Sequence, residues 1–354
     1  MSDATNYMSS RPSISVIVIG RNEGRRLACC LESILRIPGF HANATELIYV
    51  DSASNDGSPE LAARYNARVV VLDAPRTTAA MGRNAGWRAA KGEFILFLDG
   101  DTVLDPGFVR AALEPMLADP SIAAVWGHRR EIHPEASLYN RVLDLDWVYA
   151  PGFTEFCGGD VLMRRKALQE AGGFDSDLIA GEEPELCRRM RALGYRILHI
   201  DHPMTQHDLH ITRFSQYWKH AVRAGHAFAE ISARFRKSDD KSWAADRSRN
   251  LVRGVFWVGS FTLALVLSAL RLSLIPLGAW LLLLLVLSLR SSWKSRWKSR
   301  PGSHATVTLL LYGIHSHLQQ IPICAGQITY ALDQKRGRKR ALIEYKQPDR
   351  VRAK

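Results

Sequence analysis

Two aspartates separated by one residue, Asp99 and Asp101, follow a short apolar segment and could hold a divalent cation. In extended backbone, side chains two residues apart point to the same side, so both carboxylates can reach one ion. Mg²⁺ and Mn²⁺ are commonly held by one or two carboxylates together with the phosphate oxygens of a substrate. A bare Asp-x-Asp is also a common turn sequence; its place directly after a buried strand favours a metal site.

Two other segments carry charged residues suited to a phosphate or to proton transfer. Arg83 lies near the start of a predicted helix, where an arginine beside exposed backbone amides suits a phosphate. The glycines around it also fit a helix that packs closely on a sheet. Glu182 and Glu183 precede Pro184, a standard helix opening. Their functional interpretation is a general base. A helix N-terminus lowers the pKa of a carboxylate and so weakens the base, and burial or a neighbouring acid would have to offset this effect.

The segments that must position these residues alternate between strand and helix. Near-continuous apolar runs predict strands covered on both faces, at residues 14–19, 46–50, 69–72 and 94–98. Helices are predicted between them, at residues 25–35, 59–66 and 78–90. This alternation predicts an α/β fold with a doubly wound sheet, in which ligands bind at the carboxyl ends of the strands. A less regular region follows, with strands at 123–127 and 161–164 and helices at 182–193 and 213–235.

Composition and charge exclude several classes of protein. Apolar residues make up 47% and charged residues 23% of the 354 residues, as in globular proteins. The net charge of +12 is concentrated at residues 290–354, which hold 14 basic and 3 acidic residues. A body-wide basic surface for nucleic acid is therefore excluded. The five cysteines form no CxxC pair, which fits a reducing compartment, and the first residues lack a signal-peptide pattern.

The C-terminal third predicts a membrane anchor. Residues 254–270 and 272–289 are uncharged and nearly long enough to span a hydrocarbon core. Basic residues flank the pair on both sides, so we expect a hairpin, or a re-entrant pair, that returns to the cytoplasmic face. Residues 305–332 lack Lys, Arg, Asp and Glu. We interpret them as an interfacial helix; the alternative is a further crossing, which would translocate the nine basic residues of 335–354. The predicted division is a tail (1–12), an enzyme domain (13–235), a basic linker (236–253), a transmembrane hairpin (254–289) and a basic juxtamembrane region (290–354).

Five motifs in order resemble the family 2 glycosyltransferases of GT-A fold. They are SVIVIGRNEG, VDSASNDGS, GRNAGWRAAKGEFILFLDGDT, GGDVLMRRKALQEAGGFD and GEEPELCRRMRALGY, and the resemblance covers about residues 12–235. It implies a GT-A fold, with a mixed, mostly parallel sheet between helices. The QxxRW motif of processive synthases is absent, since residues 216–219 read QYWK. The resemblance therefore implies a non-processive enzyme.

The resemblance also implies roles for individual residues. The donor, a nucleotide-diphosphate sugar, is assigned to the positions that match the family's nucleotide- and diphosphate-binding residues: Asn22, Glu23, Asp51, Arg83 and Asp99. The metal is assigned to Asp101, with Asp99 and a late histidine. His207 is our candidate for that histidine, and His202 and His210 are its rivals.

The base is assigned to Glu183, with Glu182 as its partner. Glu183 stands where the family usually has Asp, which lengthens the base by one methylene. Arg21 and Ser52 also depart from the usual aromatic residue and the usual second Asp. These two departures bear on the preference for nucleotide base and sugar.

These assignments predict an inverting, Mg²⁺- or Mn²⁺-dependent glycosyltransferase of the inner membrane, multi-pass, with its catalytic domain in the cytosol. Its expected partners are a nucleotide sugar, a lipid-linked or glycan acceptor for polysaccharide or glycolipid synthesis, and an anionic membrane surface, but no nucleic acid. A sugar nucleotidyltransferase, which would release diphosphate from a nucleoside triphosphate, is an alternative. A non-catalytic membrane scaffold that keeps the fold is another.

Overall fold

A computed structural model describes residues 13–39, 45–74, 76–237, 242–299 and 305–338. The predicted tail (1–12) and the basic residues 339–354 lie outside the described residues. The strands are β1 (Ile14–Gly20), β2 (Thr45–Asp51), β3 (Arg68–Val71), β4 (Phe94–Asp99), β5 (Thr102–Leu104), β6 (Ile122–Glu131), β7 (Gly152–Thr154), β8 (Val161–Arg164) and β9 (Arg196–His207). The helices are α1 (Arg25–Leu35), α2 (Ser58–Arg64), α3 (Ala79–Ala89), α4 (Phe108–Ala118), α5 (Leu138–Asp146), α6 (Arg165–Glu170), α7 (Glu182–Ala192), α8 (Phe214–Arg234), α9 (Ser242–Leu270), α10 (Ile275–Lys294), α11 (Ala305–Leu318) and α12 (Gln320–Lys335).

One mixed sheet contains all nine strands of the described residues, in the order β3-β2-β1-β4-β8-β6-β9-β5, with β7 paired to β9. The first four strands are parallel, as their apolar runs predict. Direction reverses at β8, which is antiparallel to β4 and to β6. The predicted α/β class and mixed sheet are confirmed.

The register of β1, β2 and β4 brings their carboxyl ends together. Gly20 at the end of β1 pairs with Asp51 at the end of β2. Ile19 pairs with Asp99 at the end of β4. The polar segments that follow these three strands therefore meet at one edge of the sheet, where an α/β sheet places its ligands.

The core explains why the central strands read as continuous apolar runs. Val16, Ile17 and Val18 are fully buried on successive positions of β1, so both faces of the strand are covered. Helix α3 lies directly on this strand, since a methyl group at Gly86 would be only 2.3 Å from Cγ2 of Ile17. The close-packing interpretation of the glycines around Arg83 is thus correct. This packing holds α3, and with it Arg83, in a fixed position on the sheet.

The C-terminal region differs from the predicted division in two places. Helix α9 begins at Ser242, inside the predicted basic linker (236–253), and runs without a break into the apolar segment. The segment 305–332, predicted as one interfacial helix, forms two helices, α11 and α12, that meet at Gln319. Helix α12 packs on α8 so closely that a methyl group at Gly326 would be 2.1 Å from the carbonyl oxygen of Val222. A methyl group at Gly225 would be 2.0 Å from the carbonyl oxygen of Ile323.

Helices α9 and α10 are long and apolar enough to cross a membrane, over Trp243–Leu270 and Ile275–Lys294. In the most apolar 18-residue stretch of each helix, only 22% (α9) and 11% (α10) is buried by the rest of the protein, whereas the core helices of a soluble protein are mostly buried. Tryptophans join them, since Trp257 and Trp280 pack edge to face with ring centroids 5.8 Å apart. The pair thus presents an apolar outer surface, as an anchor in lipid requires.

Candidate active site

A cavity of about 700 Å³ opens at the carboxyl edge of the sheet. Its walls come from the segments after β1 and β4, the start of α7, the end of β9 and one face of α8. Among the predicted site residues, the wall includes Asn22, Glu23, Arg83, Asp99, Asp101, Glu182, Glu183 and His207. The structure therefore brings together eight of the nine residues that the sequence singled out.

Asp99, Asp101 and His207 form a cluster whose ligand atoms all lie within 4.8 Å of one another. Antiparallel pairing of β5 with β9 places Thr102 opposite His207, and this carries the imidazole to the aspartates. The Nε2 atom of His207 lies 3.2 Å from Oδ1 of Asp101. Of the rival histidines, His210 is exposed, and His202 binds the carbonyl of its neighbour Pro203 through Nδ1 at 2.7 Å. Among these three histidines, His207 is the one that joins the cluster.

The environment of His207 suits a metal ligand. Burial, together with the positive charge of Arg129, lowers its pKa to about 3, so the imidazole is neutral at physiological pH. The ring is 4% exposed, and its Nδ1 atom is buried without a hydrogen-bond partner among the described residues. Two carboxylates with a neutral imidazole are donors that Mn²⁺ and related divalent ions accept. The residues therefore fit a divalent cation.

Arg83 joins this cluster to the two glutamates. Its guanidinium lies 3.0 Å from Asp99, 3.0 Å from Glu182 and 2.9 Å from Glu183. Its side chain is 3% exposed, and the surrounding carboxylates raise its pKa despite the opposing effect of burial. Arg83 is thus a buried cation that balances three acids, and its position beside Asp99 places it at the metal end of the cavity.

Glu183 has the properties of a base that works near neutral pH. Burial is the main cause that raises its pKa, and the adjacent charge of Glu182 adds to it, whereas Arg83 opposes both. The result is a pKa of about 7. The glutamates begin α7 after Gly181, which has a left-handed φ of 84°. Burial and the neighbouring acid thus offset the lowering effect of the helix N-terminus on the pKa of Glu183. The side chain of Glu183 is 14% exposed and that of Glu182 is 5% exposed, so Glu183 is the more accessible of the two.

The residues that the resemblance assigns to the nucleotide divide between the cavity wall and its support. Glu23 lies on the wall and pairs with Arg26 at 3.0 Å. Asn22, with a left-handed φ of 56°, accepts a hydrogen bond from the backbone N–H of Asn55. Asp51 is fully buried and accepts from Tyr49 Oη and from the N–H and hydroxyl of Ser54. Asp51 therefore holds the loop after β2 in shape and does not itself reach the cavity.

Sequence reasoning missed Asp160 and Arg129. Asp160 accepts hydrogen bonds from the backbone N–H of Asp99 at 3.0 Å and from Thr205 Oγ1 at 2.7 Å. Arg129 lies 3.6 Å from Asp99 and 3.7 Å from Asp160 and stacks over Trp147 at 4.6 Å. Asp160 stands in the GGD sequence, which was the available signal. The neighbouring Gly159 fits only because it lacks a side chain, since a methyl group there would be 2.4 Å from Arg83 Nη2.

Comparisons with known proteins agree with this geometry. Residues 94–293 match the description "Glycosyl transferase family group 2", and residues 15–172 match "Glycosyl transferase family 2". The glycosyltransferase AglE of Haloferax volcanii is 22% identical over 199 residues, which cover 53% of this chain and 64% of AglE. Hyaluronan synthase of Pasteurella multocida is 27% identical over 136 residues, which cover 38% of this chain and 14% of the synthase. The matches therefore span less than two thirds of these relatives.

A solved structure shares the fold over most of the chain. The mannosyltransferase PcManGT from Pyrobaculum calidifontis, in complex with GDP-Man and Mn²⁺, superposes with a TM-score of 0.60 at 18% identity. The superposition covers 92% of this chain and 89% of that one. At this identity the similarity establishes the fold, which is the GT-A arrangement that the motifs predict.

Proposed function

Since the chain belongs to the family 2 glycosyltransferases, we propose that it transfers a sugar from a nucleotide-diphosphate sugar to a hydroxyl of a membrane-proximal acceptor, with inversion and with a divalent metal. The observation that carries the proposal is the shared cavity. It holds the cluster of Asp99, Asp101 and His207 together with Glu183, whose pKa of about 7 suits a general base.

The proposed donor site lies at the carboxyl edge of β1 and β4. Asp101, Asp99 and His207 would hold Mg²⁺ or Mn²⁺, which when bound neutralises charge on the diphosphate leaving group. Arg129 and Asp160 hold Asp99 in place, through its carboxylate and its backbone N–H respectively. Asn22 and Glu23 border the same end of the cavity, where the nucleoside would lie. Asp51 supports this end indirectly, through the loop after β2.

The proposed reaction is one displacement. The acceptor hydroxyl oxygen forms a bond to the anomeric carbon while the bond from that carbon to the diphosphate oxygen breaks, and the nucleoside diphosphate leaves with the electron pair. Glu183 takes the hydroxyl proton. Arg83 and Glu182 position Glu183 and set its proton affinity. A single displacement from the face opposite the leaving group inverts the anomeric configuration.

The proposed location is the inner membrane, with the catalytic domain in the cytosol. Helix α9 contacts α8 before the apolar pair, through Phe228 and Trp243 with ring centroids 4.7 Å apart. Helices α11 and α12 contact the same domain after the pair, for example through His315 and Asp146 at 2.9 Å. Both flanks therefore lie on one side, which supports a hairpin with its basic flanks toward anionic lipid.

The test is a screen of sugar nucleotides against the detergent-solubilised full chain, with and without Mn²⁺, measuring release of nucleoside diphosphate. We expect metal-dependent release from at least one donor, and loss of release in Asp101→Ala and Glu183→Gln. Glu114→Gln, on the exposed surface of α4, is the matched control and should keep full activity. Undiminished release in both cavity variants would contradict the proposal. Diphosphate release from a nucleoside triphosphate would instead favour the nucleotidyltransferase, and failure to bind any nucleotide would favour the scaffold.

A further inference from the structure

One wall of the cavity is a single face of α8 that the proposed chemistry does not use. His220, Arg223, Ala224, Ala227 and Phe228 all line the cavity. Their spacing of three and four residues puts them on one side of the helix. The opposite side packs on α12 through Gly225 and Val222, as described above. This face is therefore a wall of the same cavity that Asp99 and Asp101 line.

The N-terminal part of this face lies between the metal cluster and the helices that follow the membrane pair. His220 interacts electrostatically with His207 of the cluster and with Arg223, its neighbour one turn along α8. It interacts in the same way with Asp146 and His315, which join α5 to α11. Helix α11 in turn packs against the end of α10, where a methyl group at Gly313 would be 2.2 Å from the carbonyl oxygen of Ser288.

The C-terminal part of the same face leads to the start of the first candidate membrane span. Phe228 contacts Trp243, the first residue of the span Trp243–Leu270, and both aromatic rings line the cavity. Next to Arg223 the wall is apolar, formed by Ala224 and Ala227. One cavity thus offers a guanidinium beside an apolar strip that continues into a membrane helix.

We propose that this face of α8 binds the acceptor through a phosphate group carried on a membrane lipid, with the guanidinium of Arg223 on the phosphate and the Phe228–Trp243 pair against the adjoining apolar chain. An arginine binds phosphate with paired, charge-assisted hydrogen bonds, and His220 supplies a further polar contact. The proposal rests on the proposed function, because the attacked hydroxyl must reach Glu183 while the lipid stays in the bilayer. Ala227 lies beside the start of α7, since a methyl group at Gly181 would be 3.3 Å from its Cβ, so the wall extends to the base.

The test measures equilibrium binding of farnesyl phosphate to the detergent-solubilised full chain by calorimetry. Mn²⁺ and saturating GDP or UDP are present, so that the donor half of the cavity is occupied. Farnesol and inorganic phosphate are the matched probes that carry only the chain or only the charge. We expect farnesyl phosphate to bind at least about tenfold more tightly than either.

Arg223→Gln should weaken farnesyl phosphate binding by about 10- to 100-fold, the range for a lost charge-assisted hydrogen bond. Arg223→Lys, which keeps the charge, should lose severalfold less. Lys219→Gln removes a cation from an exposed position of α8 outside the cavity and should change binding by less than about twofold. The thermal unfolding temperature of each variant reports whether it is folded.

Three results would overturn the proposal: farnesol binding as tightly as farnesyl phosphate, inorganic phosphate binding as tightly, or equal losses in Arg223→Gln and Lys219→Gln. A fourth measurement separates the proposal from the proposed function. Binding of GDP and UDP with Mn²⁺ tests the donor site directly, and farnesyl phosphate is titrated again without nucleotide. Nucleotide binding with no preference for the phosphorylated lipid refutes only the acceptor wall. Absence of nucleotide binding refutes the donor site, and the titration without nucleotide then supports or refutes the wall by itself.

Discussion

The pH dependence of turnover offers a sharp test of Glu183 as the base. The base must be ionised to accept a proton, and its pKa is about 7. We therefore expect kcat to rise with pH and to level off above about 8, and one pH unit below the pKa only about a tenth of the enzyme is active. Glu183→Gln should lower kcat by about 10²- to 10⁴-fold, the usual contribution of general base catalysis.

Glu182→Gln is the informative companion variant. The charge of Glu182 is one cause of the raised pKa of Glu183, so its removal lowers that pKa. The acid limb of the rate profile should then move to lower pH, while the plateau falls because the base is weaker. The measurement is kcat from pH 5 to 9 for the three proteins, at saturating donor and Mn²⁺.

The stability of the protein provides an independent check, because Glu183→Gln should lower activity but raise stability. The folded-state pKa of Glu183 is raised from 4.5 to about 7, so ionising it in the folded state costs about 3 kcal/mol. That stability is present below pH 4.5 and is lost as the pH rises through 7. Glu183→Gln should therefore gain stability relative to the wild type between pH 4 and pH 8, although it is inactive. An unshifted acid limb in Glu182→Gln, or a Glu183→Gln protein that loses stability relative to the wild type over this range, would refute the reasoning.

Four further substitutions test the buried arginine, the metal cluster and the helix behind the α8 wall. Arg83→Met leaves three carboxylates without their cation and should lower the free energy of unfolding by about 3–5 kcal/mol at pH 7.5, measured by thermal unfolding in detergent. His207→Ala should weaken Mn²⁺ binding by about 10- to 100-fold, and Asp101→Asn at least as much because it also removes charge, measured from free Mn²⁺ by electron paramagnetic resonance. Gly326→Ala should force α12 away from α8 and lower stability by about 1–3 kcal/mol, measured as a fall in the unfolding temperature.

The changes at Arg83, His207 and Gly326 each have a control or a contradicting result. The loss in Arg83→Met should shrink at pH 4, where Glu183, with its pKa of about 7, is protonated; a loss that is the same at both pH values would contradict the ion-pair account. Unchanged Mn²⁺ binding in His207→Ala would remove the histidine from the metal site. Gly259→Ala lies on α9 where a methyl group meets nothing within 4 Å, and it should leave the unfolding temperature unchanged.

The central strands could be predicted from the sequence to within one or two residues, because burial on both faces leaves an unbroken apolar run. The carboxyl-edge cluster was predictable for the same reason, since parallel strands end together. His207 was harder to choose from its rivals, because its position depends on the pairing of β5 with β9, a contact between residues far apart in the chain. The assigned roles of the site residues stay predictions.

What could not be predicted depends on close approach between elements. Asp160 and Arg129 contact Asp99 from segments that are far from it in the chain, and the GGD sequence alone does not show that Asp160 reaches Asp99. The C-terminal segment without Lys, Arg or acid before Asp333 suggested one helix on a membrane surface. Gly326 fits α12 against α8, and this contact depends on the two helix surfaces together, so neither segment of the sequence shows it alone.

The close contact of α12 with α8 has a consequence for biosynthesis. The ribosome makes α8 first, then the hairpin, and only afterwards the helix that supports α8 from behind. The α8 wall of the cavity therefore gains this support only after α9 and α10 have been synthesised, so a nascent chain that has not yet reached α12 lacks a finished site. Cutting the gene after residue 237 would yield the same unfinished state permanently, with the buried side of α8 open to water.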